Sequence, residues 1–513
     1  MKNWSHHRSS SALGLLIVSV ALTSATDTFA LGVTPELPRV QAASAAHSEG
    51  IVINVNAGDD LQQALREANP GDTIALEAGA SFVGPFFLPR KSAADNIVLK
   101  PEGKRWITIR STNTDSSLPA PGIRVSPANA SSMANLSSSS GAVVTTESGA
   151  NHYRFVGIRF SPTESPYERP IKELVLLDGS GMFRRPMEKA DLPRQFIFER
   201  CYFQGHATLG TRRGIVINAG HVTVIDSYFS DFKIRGEDSQ AIVGWEGPGP
   251  FLIQNNYLEA AGENVMFGGA DPASDSLVPS DITIKGNHFA RPNSWRWNGN
   301  WTIKNILELK NARRILITGN VFEYNWPNAQ NGFAILFTVR NQEGTAPWSV
   351  VEDVTFSNNI VRHVGSGINI LGYDDHHPSQ QTSRILIRNN LFIDIGGKWG
   401  EGNLLQLLDG TSDVTFELNT VFNTGNILIA EGRPQRRFTF RRNIVQHGGY
   451  GIVGRGKAPG NSALAFYLPG YDMSDNMIVG GSRRLYPSGN AFPSALSDVD
   501  FIDFKRGDFR LSK

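Results

Sequence analysis

The sequence predicts a right-handed, single-stranded parallel β-helix with an N-terminal capping helix, and three observations carry that prediction. First, one pattern recurs between residues 155 and 479: a short alternating strand, an Asn or small residue, then an aromatic or aliphatic residue. It reads RQFIFERCYF, HVTVIDSYF, PFLIQNNYL, DITIKGNHF, RILITGNVF, VTFSNNIV, RILIRNNLF, VTFELNTVF, FTFRRNIV and MSDNMIV. Second, the central residues of these copies (Cys201, Ser227, Asn256, Asn287, Asn320, Asn359, Asn390, Asn419, Asn443 and Asn476) are 24 to 39 residues apart. Third, a second strand type lies between the copies: GIVIN, ENVMFGG, NILELKN, FAILFTVRN, GINILGY, NLLQLLDG and NILIAEG.

A repeat of this length with period-two alternation marks a β-solenoid. The β-branched, alternating content excludes helical solenoids, and the fixed Leu spacing of leucine-rich repeats is absent. About three short strands per coil remain. Inward residues then stack in apolar rows, and an Asn at the same corner of every coil can hydrogen-bond its neighbours as a ladder.

The elements follow in order. Residues 1–30 have the form of a secretory signal: Lys2 and Arg8, a short apolar stretch from Ala12 to Leu22, then small residues at Thr28-Phe29-Ala30. That stretch falls short of the ~20 residues that span a bilayer, and no later segment is apolar enough to do so. Residues 31–50 read as a flexible leader. Residues 51–78 read as a cap: a strand (IVINV), an amphipathic helix from Asp60 to Glu67, the turn Pro70-Gly71-Asp72 and a second strand. A solenoid needs such a cap because its end exposes apolar surface and unpaired strand edges. Residues 112–150, rich in Ser, Ala and Asn, read as a surface insertion. The core coils run from about 151 to 480, and 481–513 closes the far end.

Composition narrows the function. Lys plus Arg is 49 and Asp plus Glu is 48, a net charge of +1, so a general nucleic-acid binder is disfavoured. The single cysteine, Cys201, excludes an intrachain disulfide and a Cys-rich metal site. No oligomer signal is visible, so a monomer is expected. The export pattern predicts a place in the medium, the periplasm or the cell surface.

Candidate chemistry concentrates between residues 240 and 410. Trp295, Trp297 and Trp301 fall in the loop SWRWNGNW, and Trp348 lies further on. Flat indole faces along a groove suit sugar rings, which predicts a polysaccharide partner. In NILELKN, Glu308 and Lys310 alternate with Leu307 and Leu309, so the leucines point inward and the charged pair outward. The next coil offers Arg340, Asn341 and Gln342, and adjacent coils are only ~4.8 Å apart. The coil before offers Glu263 and the pair Gly268-Gly269, which leaves room for a ligand; the coil after offers Asn369, Asp374, Asp375, His376 and His377. A guanidinium can bind a uronate carboxylate bidentately and so acidify the neighbouring C5 proton, which a lysine of lowered pKa can remove. That is β-elimination.

Over most of 51–513 the chain resembles the pectate-lyase-like β-helix superfamily. The string LKNARRILITGNVF followed by AILFTVRN is locally similar to the alginate lyase and chondroitinase B family. By that resemblance Lys310 is the general base and Arg340 an acid or stabiliser. The resemblance also implies calcium, for which Glu308 and Glu263 are the substitute ligands, since Asn305 and Ile303 stand where the family has carboxylates. Asn341, Asn369, Asp374 and Trp348 join the loop tryptophans as expected substrate contacts. Two rivals stand beside the lyase reading. A glycoside hydrolase would use a carboxylate pair drawn from Asp374, Asp375, Asp409 and Glu308. A non-catalytic carbohydrate-binding or surface β-helix would use the tryptophans alone. A metal site at His376-His377 is the weakest reading, because adjacent histidines rarely ligate one ion together.

Overall fold

A computed structural model describes residues 33–43, 50–91, 106–163, 171–179 and 189–512. The chain winds through three parallel sheets of 14, 13 and 12 strands, plus a two-stranded antiparallel pair near the C-terminus. Sheet I runs from Val52–Val55 to Asp472–Ser474, sheet II from Ser81–Val83 to Met477–Val479, and sheet III from Phe86–Leu88 to Ile452–Gly454. One coil visits all three: Ser280–Lys285 in sheet I, His288–Ala290 in sheet II, Leu307–Leu309 in sheet III. The next strand, Ala312–Thr318, pairs in parallel with the first, Ile315 beside Ile282. This is the predicted right-handed β-helix, the hand that parallel crossovers take.

Inward residues fill the space between the sheets. Phe155, Phe198, Phe160 and Phe203 stack coil over coil at centroid distances of 5.1 and 4.8 Å. Val265, Leu307, Ile335, Ile368 and Leu405 form a second row, all fully buried.

The asparagines make the predicted ladder at the corner between sheets I and II. The backbone N–H groups of Asn256, Asn287, Asn320, Asn359, Asn390 and Asn419 each donate to the Oδ1 of the next ladder asparagine at 2.9 Å. The ladder runs one rung past the repeat, with the Asn476 N–H donating to Asn490 Oδ1 at 3.0 Å. The residue just before each rung turns the corner with positive φ, for example Asn358 at 56°, Asn389 at 53° and Leu418 at 56°.

The cap forms as expected. Helix Leu61–Glu67 starts at Asp60, whose carboxylate accepts the Gln63 N–H at 3.0 Å, and it buries Leu61, Ala64 and Leu65 against the first coil. At its other end Lys91 Nζ donates to Leu65 O at 2.8 Å.

Two domain expectations change. Residues 134–138 and 144–146 are strands of sheets II and III, so the insertion is shorter than 112–150. Its Ser-rich strand carries the core through Leu136 and the small Ala134 only, which weakens the alternation signal. Residues 33–43 are not a loose leader but lie on sheet I, with the Glu36 N–H donating to Asp353 Oδ1 at 2.9 Å. The export pattern of residues 1–30 falls outside the described residues. Among the described residues no helix is long and apolar enough to cross a membrane.

Candidate active site

The outer face of sheet III carries the candidate site. Leu307 and Leu309 are fully buried inward, which turns Glu308 and Lys310 outward as their alternation requires. Register places Glu308 beside Leu336, then Asn369, then Gln406 on successive coils. Lys310 follows the strand on the same outward face. The Arg340 N–H donates to Lys310 O at 2.9 Å, so the lysine and the arginine leave adjoining coils at the same edge.

Lys310, Arg340, Thr338, Asn369, Asp374 and Asp409 line one groove of about 480 Å³, together with Gln330, Leu336, Leu371 and the loop 374–377. A smaller groove of about 210 Å³ shares Gln330, Leu336 and Asn369 and extends it toward Ala329 and Phe333. Gly268 sits behind Lys310. With φ at +109° it lies where a Cβ would come within 2.6 Å of Lys310 Cβ. Its missing side chain therefore makes room for the lysine's own coil and not for a ligand, as the sequence had suggested.

Arg340 is fixed by two acids. Its Nη1 donates to Asp374 Oδ1 at 2.8 Å and also to Asp375. Burial opposes its charge, but Asp375 and Asp374 outweigh that and hold the guanidinium above its ordinary value. Asp374 is itself locked, accepting the Asn341 N–H at 2.7 Å and the His376 N–H at 2.9 Å. Burial would raise its pKa, yet these donors and Arg340 hold it below the usual carboxylate value. Asn369 offers the opposite case: it lines the groove, but its Oδ1 is buried and accepts no hydrogen bond.

Other predicted contacts fall elsewhere. Asn341 is fully buried and spends its side chain on the loops, donating to Pro378 O at 2.8 Å and accepting the Ala346 N–H at 2.8 Å. It shapes the groove wall and, fully buried, presents no group to a substrate. Trp295 and Trp301 are buried with Trp326 and Trp399 in a satellite apolar cluster, and Lys233 Nζ lies 5.1 Å from both of their ring centres. The open indole platform is thus replaced by a packed, cation-covered one. Trp297 is 79% exposed, with Arg296 over its ring, but it does not line the groove. Trp348 is half-buried and also outside the groove lining.

The two glutamates named for calcium are already served. Glu263 is fully buried; its Oε1 lies 2.9 Å from Lys304 Nζ and its Oε2 accepts from Gln240 Nε2 at 2.7 Å. Burial, then the charge of Glu308, pushes its pKa up to about 7. Lys304 also reaches Asp238 Oδ2 at 2.8 Å, and these acids outweigh burial to hold its ammonium above the ordinary value. Glu308 accepts from Asn305 Nδ2 at 3.2 Å and Thr338 Oγ1 at 3.4 Å, with Lys310 Nζ 3.9 Å away. Among the described residues no three or more His, Cys, Asp or Glu side chains converge as ion ligands. The positive charge between these glutamates comes from Lys304, and the residues present do not fit a calcium ion. Sequence reasoning missed Lys304, Asp238 and Thr338. Lys304 and Asp238 lie on turns of variable length outside the repeat, where no periodicity flags them.

No family model and no curated protein matches the sequence. Solved structures do match in fold. The catalytic unit of a thermostable GH87 α-1,3-glucanase from Streptomyces thermodiastaticus is 14% identical, with a TM-score of 0.52, covering 89% of this chain and 72% of the other. A mannuronic acid-specific polysaccharide family 6 lyase from human gut microbiota is 10% identical, with a TM-score of 0.40, covering 88% and 84%. An alginate lyase from Paenibacillus is 13% identical, with a TM-score of 0.30, covering 82% and 98%. At these identities the likeness is one of fold.

Proposed function

We propose that the chain is a polysaccharide lyase that cleaves a uronate-containing polymer by β-elimination in the groove of sheet III. One observation supports this reading above the others: Lys310 and Arg340 enter a single groove from adjoining coils, joined by the Arg340 N–H to Lys310 O hydrogen bond of 2.9 Å. Arg340 binds the substrate carboxylate through the donors that Asp374 and Asp375 leave free, and its permanent charge stabilises the enolate that forms. The Lys310 amine removes the C5 proton through its nitrogen lone pair. Those electrons form the C4–C5 double bond, the C4–O bond breaks, and the leaving oxygen takes a proton, which the lysine ammonium can return. Because its acids hold Arg340 protonated, it acts as stabiliser and not as proton donor.

Hydrolysis finds less support, because it needs one carboxyl with a raised pKa at the scissile bond. Asp374 is held below the usual value, and Glu263, which is raised, is fully buried. The pattern of residues 1–30 fits a polymer met outside the cytoplasm.

The test is ultraviolet absorbance of the new double bond with a panel of uronate polysaccharides, for wild type and Lys310→Ala. Wild type should develop absorbance; the variant should fold normally and lose turnover by about 10²-fold or more, the scale of a missing general base. New reducing ends without absorbance would replace the lyase by a hydrolase. Wild-type turnover in Lys310→Ala would remove Lys310 from the mechanism.

A further inference from the structure

On the face of sheet I, away from the groove, one position of each coil carries an alternating charge. It reads Asp281, Arg314, Asp353, Arg384, Asp413 and Arg437 on successive coils, every one with φ between 51° and 57°. Each arginine grips the aspartate of the coil before it. Arg314 donates to both carboxylate oxygens of Asp281 at 2.8 and 3.1 Å, and Arg384 to both of Asp353 at 2.6 and 2.9 Å. Arg437 pairs with Asp413 in the same way. Each aspartate keeps acceptor capacity beyond its arginine, and all three lend it to one segment. The backbone N–H groups of Val33, Glu36 and Arg39 donate to Asp413, Asp353 and Asp281 at 3.3, 2.9 and 2.9 Å.

The spacing is commensurate. The aspartates recur every second coil, about 9.6 Å at ~4.8 Å per strand. The donors recur every third residue, about 9.3 Å at the ~3.1 Å rise of a polyproline II helix. The sequence VTPELPRV sets that conformation with Pro35 and Pro38, which lack an N–H and fall between the donors. Ala42 then packs on Ile225 and Leu252, and Thr223 Oγ1 donates to Ala43 O at 2.6 Å.

We propose that the alternating Asp/Arg row is a docking track for a polyproline II segment, filled in cis by residues 33–40. The segment straps together the coils from Asp281 to Asp413, and these coils carry Lys310, Arg340, Asn369 and Asp374. The strap spans sequence separations of 242 to 380 residues, so it can be laid down only after those coils have stacked. Its contacts are independent of what the groove does.

Hydrogen exchange of the full chain, read residue by residue over 33–41, tests the proposal. The Val33, Glu36 and Arg39 amides should exchange more slowly than those of Thr34, Leu37 and Val40. Asp353→Ala should release Glu36, while Asp353→Asn, which keeps an acceptor, should release it less. Uniformly fast exchange over 33–41 in the wild type would overturn the track. A second variant replaces 33–40 by Gly and Ser at constant length. A labelled synthetic peptide of residues 32–43 should bind this variant and not the wild type, whose track is full. Equal binding to both, or to neither, would overturn the assignment. A concentration-dependent dimer that dissociates in the Gly/Ser variant would overturn the cis arrangement in favour of a second copy.

Discussion

Replacing Asn359 by alanine breaks the ladder at a rung whose losses can be counted. Asn359 Oδ1 accepts the Asn320 N–H at 2.9 Å and Asn320 Nδ2 at 3.0 Å. Its Nδ2 donates to Ile317 O at 3.0 Å and Asn390 Oδ1 at 3.1 Å. Its own backbone N–H to Asn390 survives the change. Four side-chain bonds at about 1 kcal/mol each give about 4 kcal/mol, and the Asn320 N–H is left buried with no acceptor, so the loss should not be smaller. Serine provides the internal control, because this corner already holds one. Ser227 Oγ accepts the Cys201 N–H at 3.0 Å and donates to Ile225 O at 2.8 Å. By that pattern Asn359→Ser keeps the bond from the Asn320 N–H, replaces the other three with one to Ser357 O, and should cost about 2 kcal/mol. The assay is urea unfolding of the full chain, with hydrogen exchange at Asn320 as a local probe, since repeat arrays can unfold piecewise. A loss below about 1 kcal/mol for alanine, or a serine variant no better than alanine, would refute the view that the ladder bonds hold the coils in register.

Three further outcomes are expected. Leu418 turns its corner at φ 56° while 36% exposed, where Asn255, Asn358 and Asn389 turn the matching corners. Leu418→Asn should therefore raise stability by up to about 1 kcal/mol, seen as a higher melting temperature, and a lower one would refute the strain argument. Chelator should leave turnover unchanged, because Lys304 supplies the positive charge between the acids. Lys304→Met should instead destabilise the fold by leaving Glu263 buried without its cation; a chelator-sensitive rate in the wild type would show an ion that Lys304 does not replace.

The coil architecture is legible in the sequence because two signals repeat at one place: a corner asparagine and a period-two strand. Both report local geometry that every coil must satisfy, so Leu307, Leu309 and Lys310 are oriented from alternation alone. The Trp cluster is not legible, because burial of Trp295 and Trp301 depends on Trp326 and Trp399 from later coils and on Lys233 from an earlier one. Asn341 misleads for a similar reason, its two partners lying on loops with no pattern. The strap is hidden because polyproline II has no internal hydrogen bonds and no apolar period. Its mark is VTPELPRV, meaningful only beside aspartates hundreds of residues away. Lys304 is invisible because its partners Asp238 and Glu263 meet only once coils stack.

The ladder also separates scaffold from ornament. From Asn320 to Asn359 the chain spends 39 residues and from Asn419 to Asn443 only 24, yet both rungs close at 2.9 Å. Of the difference, 39 − 24 = 15 residues, five lie in longer strands (16 strand residues against 11) and ten in the excursions between them. New loops can thus be spliced in beside sheet III without renegotiating the core. The same frame can be refitted for a different ligand by exchanging its excursions, a route open to natural drift and to deliberate grafting alike.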